Sequence, residues 1–158
     1  MKQDRFLIGI LAGIGVLILL ALVLFFTRKE DKREYMTADS PEAVVYNYVL
    51  AITNDDYKKA YSYLAEKEHK PSYEQFRQSF FNGNIYSDNV CVDVGTAEIN
   101  GDDALVDLDM VYSPSDPFSG GYTNTDRAQL VNQNGDWKLT YMPYNFWAYD
   151  WYQEQFKQ

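Results

Sequence analysis

The chain has 158 residues, room for one domain plus a short extra element, and a formal net charge of −9 from 14 Lys and Arg against 23 Asp and Glu. Residues 1–34 hold six basic and four acidic side chains, which leaves eight against nineteen, a net −11, for residues 35–158. So acidic a domain repels a phosphate backbone and argues against nucleic acid as a partner; the single cysteine, Cys91, excludes an internal disulfide and a multi-cysteine zinc site.

After a short N-terminal tail (1–5), residues 6–26 read FLIGILAGIGVLILLALVLFF, without a charge or an amide side chain. About 20 such residues at 1.5 Å each cross a hydrocarbon core of roughly 30 Å, and the run lacks a signal-peptide cleavage site, so an uncleaved single-pass transmembrane helix is expected. Gly9 and Gly13 have the small-xxx-small spacing of close helix pairs, a minor route to a homodimer; glycine is also simply common in membrane helices. Lys2 and Arg5 on one flank nearly balance Arg28, Lys29, Lys32 and Arg33 on the other, leaning slightly toward a cytoplasmic domain. Residues 27–39 are polar and without periodicity, as in a charged stalk.

Ser40-Pro41-Glu42 has the form of a helix start, with Ser as N-cap, Pro at the first position and an acid in the first turn. Val44, Val45, Tyr48, Val49 and Ile52 then fall on one helical face. Asn54-Asp55-Asp56 ends that helix and caps a second, in which Tyr57, Ala60, Tyr61 and Leu64 recur at i, i+3, i+4, i+7. Pro71-Ser72 opens a third, with Ser72 and Gln75 spaced as a capping box and Tyr73, Phe76 and Phe80 expected inward. Beyond Asn82-Gly83-Asn84 the period drops to two. Val90, Val92 and Val94 alternate with Cys91, Asp93 and Gly95; Asn100-Gly101 signals a hairpin; Ala104, Val106, Leu108 and Met110 alternate with Leu105, Asp107, Asp109 and Val111. A Ser/Pro/Asp/Gly-rich loop over 113–121 leads to a third strand near 122–132. Asn134-Gly135 turns it into a fourth, in which Trp137, Leu139 and Tyr141 are expected to share a face.

Helices followed by an antiparallel meander give an α+β order. The expected architecture is a transmembrane helix, then a helix-rich half packed on a curved antiparallel sheet of about four strands. The leading helix, the break and restart NDDYKKAYSYL and the late hairpin NGDWKLT resemble nuclear-transport-factor-two-like domains, the cystatin-like cone-shaped roll, over residues 40–142. The sequence is similar in particular to small membrane-tethered or secreted bacterial members of unknown function. That resemblance implies a domain outside the cytoplasmic membrane, and it outweighs the charge count.

The family also includes isomerases and dehydratases that bury an Asp, His or Tyr in an apolar cone. Asp107 and Asp109 share a strand face and Asp93 sits mid-strand, so a carboxylate pair near Tyr141 or Tyr112 could serve acid–base work. The simpler reading places them on the solvated face of a half-covered sheet. His69, the only histidine, lies in the charged loop EKEHKPS, and Cys91 lacks a basic neighbour, so no catalytic residue, metal ligand or cofactor is assigned. The aromatic tail, residues 143–158, is expected to fold over the open end of the cone; an exposed patch or a rest on the membrane interface are its alternatives. The expected function is a membrane-anchored, non-enzymatic module that binds a small ligand or an envelope protein between first helix, sheet and tail. Tyr48, Tyr61, Trp137, Tyr141, Trp147 and Trp151 are the candidate ligand-binding residues. An isomerase- or dehydratase-like enzyme and a structural subunit of an envelope assembly are the alternatives.

Overall fold

The structure is a computed structural model that describes residues 5–27, 33–36, 39–113 and 120–153, with the side chains of the first helix described over 8–23. Most of the expected stalk, the centre of the 113–121 loop and the last five residues, Phe156 among them, lie outside the described residues. The chain divides into two compact units, Met1–Glu34 and Tyr35–Gln158.

In the first unit, α1 runs Arg5–Thr27 with its described side chains exposed. Among the described residues no helix is long and apolar enough to cross a membrane. This corrects the expected transmembrane helix over 6–26, and with it the single-pass membrane localisation and the extracytoplasmic placement built upon it. No other compartment follows from that finding.

Among the described residues the second unit carries three helices and four strands. Helix α2 (Pro41–Thr53) starts where Ser40 Oγ accepts from Ala43 N–H and Pro41 occupies the first turn. Helix α3 (Tyr57–Ser62) is capped by Asp56, whose carboxylate accepts from Lys59 N–H, so the acidic corner ends one helix and begins the next. Helix α4 (Tyr73–Phe81) opens on a complete capping box between Ser72 and Gln75. Phe76 of α4 is fully buried and Phe80 half-buried, but Tyr73, expected inward, is 39 % exposed and meets Tyr61 only edge-on.

The strands are β1 (Val90–Asn100), β2 (Asp103–Tyr112), β3 (Tyr122–Gln133) and β4 (Asp136–Tyr141), paired antiparallel in the order β1-β2-β3-β4. Gly101 has positive φ at the first loop position of the first hairpin; Asn134 and Gly135 both have positive φ in the last. Two irregularities bend the sheet. Gly95 and Thr96 together face Asp107, and a Cβ on Gly95 would sit 3.0 Å from the Asp107 carbonyl oxygen, a tight approach that favours glycine at the bulge. In β4, Leu139 pairs with Leu130 but Tyr141 pairs with Gln129, which leaves Thr140 as the extra residue. Opposed residues share a face, so Tyr141 turns to the outer face and the expected alignment of Trp137, Leu139 and Tyr141 is broken.

The inner face of the sheet (Ala104, Val106, Leu108 and Met110 of β2, Ala128 and Leu130 of β3, Leu139 of β4) packs against Val45, Tyr48, Val49 and Ile52 of α2. The end of α3 closes the β4 edge: Leu139 N–H donates to Tyr63 O and Ala65 N–H to Leu139 O, both at 2.8 Å. Residues before α2 are tied in as well. The buried Asn47 amide brackets the backbone of Met36, accepting from its N–H at 2.7 Å and donating to its carbonyl at 2.9 Å, and Lys59 Nζ lies 3.3 Å above the Tyr35 ring.

Candidate functional site

Four of the six residues proposed from the sequence are joined through rings. Tyr61 meets Phe76 edge-on, Phe76 stacks on Trp151 at 4.9 Å, Trp151 meets Trp147 at 4.9 Å, and Trp147 approaches Tyr141 at 6.5 Å. Trp147 and Trp151 are themselves buried, with Met142 and Phe146, in the same core as the sheet. The tail thus folds inward after Pro143. Tyr48, fully buried on α2, donates from its hydroxyl to the Phe146 carbonyl at 2.7 Å, and burial holds its phenol well above the usual range. Tyr152 fastens the far end of the tail. It stacks on Trp147, its N–H donates to His69 O, and its hydroxyl donates to Ala65 O at 2.6 Å. Burial raises its phenol too, with the Glu66 charge adding to the effect. Its positive φ, costly for a ring-bearing residue, is held by those three contacts.

Tyr48, Phe76, Leu108, Met110, Leu139 and Phe146 are buried in the interior of the roll. Among the described residues every buried side-chain nitrogen and oxygen has a hydrogen-bond partner. The carboxylates lie elsewhere. Asp107 and Asp109 alternate with the buried Val106, Leu108 and Met110, so they and the cross-strand neighbour Asp93 stand on the outer face, where Arg127 Nε binds Asp107 at 2.7 Å and Thr125 Oγ1 donates to Asp109 at 3.0 Å. Among the described residues no group of three or more His, Cys, Asp or Glu is placed to hold a metal. Cys91 is exposed on the same outer face.

One groove lies beside the tail. A groove of about 690 Å³ runs between the loop at His69, the polar side of α4 and the end of the tail. Gln75, Gln78, Asn82 and Asn84 line it, with Trp151 and Asp150 opposite. Each amide offers both a donor and an acceptor. Gln75 is partly engaged by Ser72 N–H and Gln78 by Glu74, whereas Lys70, at the rim, is paired with Glu66 at 2.6 Å and lies over the Tyr61 ring. Glu66 thus offsets the Lys70 charge, and Asp150 leaves one carboxylate on a wall otherwise built largely of amides. Of the six proposed residues only Trp151 borders this groove. Trp137 lines a smaller one, about 280 Å³, with Asn47 and Tyr63. The sequence did hold a signal for the larger groove. Gln75, Gln78 and Asn82 stand at i, i+3, i+7, a polar stripe on a helix read only for its apolar side.

No protein-family model matches the chain, and no curated protein matches it. Among solved structures it is similar to a SEC-C motif-containing protein from Rhodopseudomonas palustris, at 17% identity over 67% of this chain and 79% of that one, with a TM-score of 0.50. A protein of unknown function with a cystatin-like fold from Nostoc punctiforme aligns at 16% identity over 68% of this chain and 90% of that one, TM-score 0.47. A protein of unknown function from Mycobacterium tuberculosis aligns at 16% identity over 63% and 65%, TM-score 0.44. At this distance the likeness to the Rhodopseudomonas palustris structure supports an α+β fold alone and carries no activity across.

Proposed function

We propose that the Tyr35–Gln158 unit is a non-enzymatic binding module that takes a neutral ligand rich in hydroxyl or amide groups in the groove beside Trp151. The observation that carries this reading is the open, amide-lined groove beside Trp151. The tail adds Phe146, Trp147 and Trp151 to the core around Tyr48 of α2. Gln75, Gln78, Asn82 and Asn84 meanwhile present donors and acceptors to a groove large enough for a small ligand. Acid–base chemistry on a carbon acid calls for a carboxylate or phenol facing an enclosed apolar cavity. Asp93, Asp107 and Asp109 face away from the core, and the buried Tyr48 hydroxyl is engaged by a backbone carbonyl.

The test is a fluorescence titration of the full chain with a panel of neutral oligosaccharides and uncharged short peptides, read on the tryptophans. Binding that shifts the emission and is weakened about tenfold or more by Gln78→Ala with Asn82→Ala supports the reading, since two lost hydrogen bonds are worth roughly that factor. Binding left untouched by that pair of substitutions contradicts it.

A further inference from the structure

We propose that the free edge of β1 over residues 90–94 takes an extended basic peptide by antiparallel strand addition. The two edges of the sheet are treated differently. The β4 edge is closed by residues 63–65 through the Leu139 hydrogen bonds, whereas among the described residues β1 pairs with a strand on one side only.

The phase of its backbone follows from the bond Ser113 N–H donates to Asn89 O at 3.0 Å. Alternation along an antiparallel pair then turns the backbone groups of Cys91 and Asp93 toward β2 and those of Val90, Val92 and Val94 outward. Two outward groups are already used. Val90 N–H donates to Ser87 O at 3.3 Å, and beyond the bulge Ala97 N–H donates to Glu42 Oε1 at 3.0 Å. The Glu42 carboxylate thereby blocks the far half of the edge and leaves a five-residue window centred on Val92. Such a row of open donors and acceptors is a template for another strand.

The side chains around the window define the occupant. On the outer face Asp93 and Asp109 are directly opposed across β1 and β2, and among the described residues neither has a salt-bridge partner; Asp107 beyond them is already bound to Arg127. Like charges opposed on a sheet repel, and a cation placed beside them relieves that cost. On the inner face Val92 and Val94 are half-buried and present an apolar flank. A second copy of β1 would bring another Asp93 to this face and add to a net charge of −11 over residues 35–158, so self-pairing is disfavoured. The complementary strand alternates Lys or Arg on the outer face with apolar residues on the inner face. In an antiparallel pair, opposed residues share a face. The apolar residue opposite Val92 is therefore the one whose N–H and C=O bond to it, while the basic residue lies opposite Asp93 without backbone bonds to β1.

That phase gives the experiment. A labelled seven-residue peptide alternating Lys and Val is titrated against the full chain by fluorescence anisotropy, alongside versions N-methylated on two Val amides or on two Lys amides. Methylation of the Val amides should weaken binding roughly tenfold or more, because two net hydrogen bonds are lost, and methylation of the Lys amides should leave it nearly unchanged. Asp93→Asn with Asp109→Asn should weaken the parent peptide several-fold and reduce its salt dependence. Equal sensitivity to both methylation patterns, insensitivity to both, or no binding of the parent peptide overturns the proposal. So does sedimentation showing that the chain alone dimerises through this edge and that Val92→Pro abolishes the dimer.

Discussion

Tyr48 on α2 and Phe146 in the tail are 98 residues apart and joined by a 2.7 Å hydrogen bond in which the buried hydroxyl donates to the buried carbonyl. That bond fixes the tail inside the roll. Tyr48→Phe would leave the Phe146 carbonyl buried without a partner, at a cost of about 1–3 kcal/mol. Chemical denaturation should show a lower midpoint with an unchanged slope. A loss below about 0.5 kcal/mol would mean that the carbonyl finds another donor.

The tail contributes core. Trp151 stacks on Phe76 and meets Trp147, so Trp151→Ala should cost about 3–5 kcal/mol, the range for truncating a buried aromatic. Near-ultraviolet dichroism should weaken with it. Tyr149, which is 86 % exposed, provides the control: Tyr149→Ala should shift stability by no more than about 0.5 kcal/mol.

Alkaline pH should loosen the domain from one side of the helix pair. Burial first, then the hydrogen bond and charge of Asp55, push the Tyr57 phenol up to about 12 from its ordinary value of 10.0. The folded state therefore keeps a proton that the unfolded chain gives up. The associated stability is complete below pH 10 and is lost as pH rises through about 12. Absorbance of tyrosinate near 295 nm, with unfolding followed in parallel, checks this. A Tyr57→Phe chain should lose less stability across that window.

Acid acts on Glu42. Burial would raise its carboxyl, but hydrogen bonds from its own backbone N–H, Ser40 and Ala97 N–H outweigh burial and hold it below the ordinary 4.5. Its contribution is thus complete above pH 4.5 and is lost as pH falls through the lower folded value. Glu42→Ala should cost about 1 kcal/mol at neutral pH and flatten the acid limb of the stability curve. An acid limb identical in the two chains would contradict the role given to this carboxylate.

Local chemistry made much of this fold readable. Ser40-Pro41, Asp56 and the Ser72/Gln75 pair each act within three residues of a helix start, and the alternation of Ala104, Val106, Leu108 and Met110 shows which face is buried. What escaped depends on partners distant in sequence or on a single inserted residue. Thr140 adds one residue to β4 and turns Tyr141 to the outer face, a flip that no period-two pattern announces. Trp147 and Trp151 are core residues, and of the two only Trp151 borders the groove. The groove itself needs α4, the His69 loop and the tail brought together, so its amides looked like ordinary surface in the sequence. The apolar run at 6–26 shows the opposite failure, in which composition suggested a span that the described helix does not supply.

The central claim is that ligand meets the outer wall at α4 and not the interior of the roll. Side-chain amide signals in a nitrogen–proton correlation spectrum of the full chain test it most directly, recorded while the neutral oligosaccharide and peptide panel is added. Shifts concentrated at Gln75, Gln78, Asn82 and Asn84 are expected, with the backbone signals of Tyr48, Val106 and Leu108 unmoved. Shifts centred on Tyr48, Val106 and Leu108 instead would place the ligand inside the roll and contradict it.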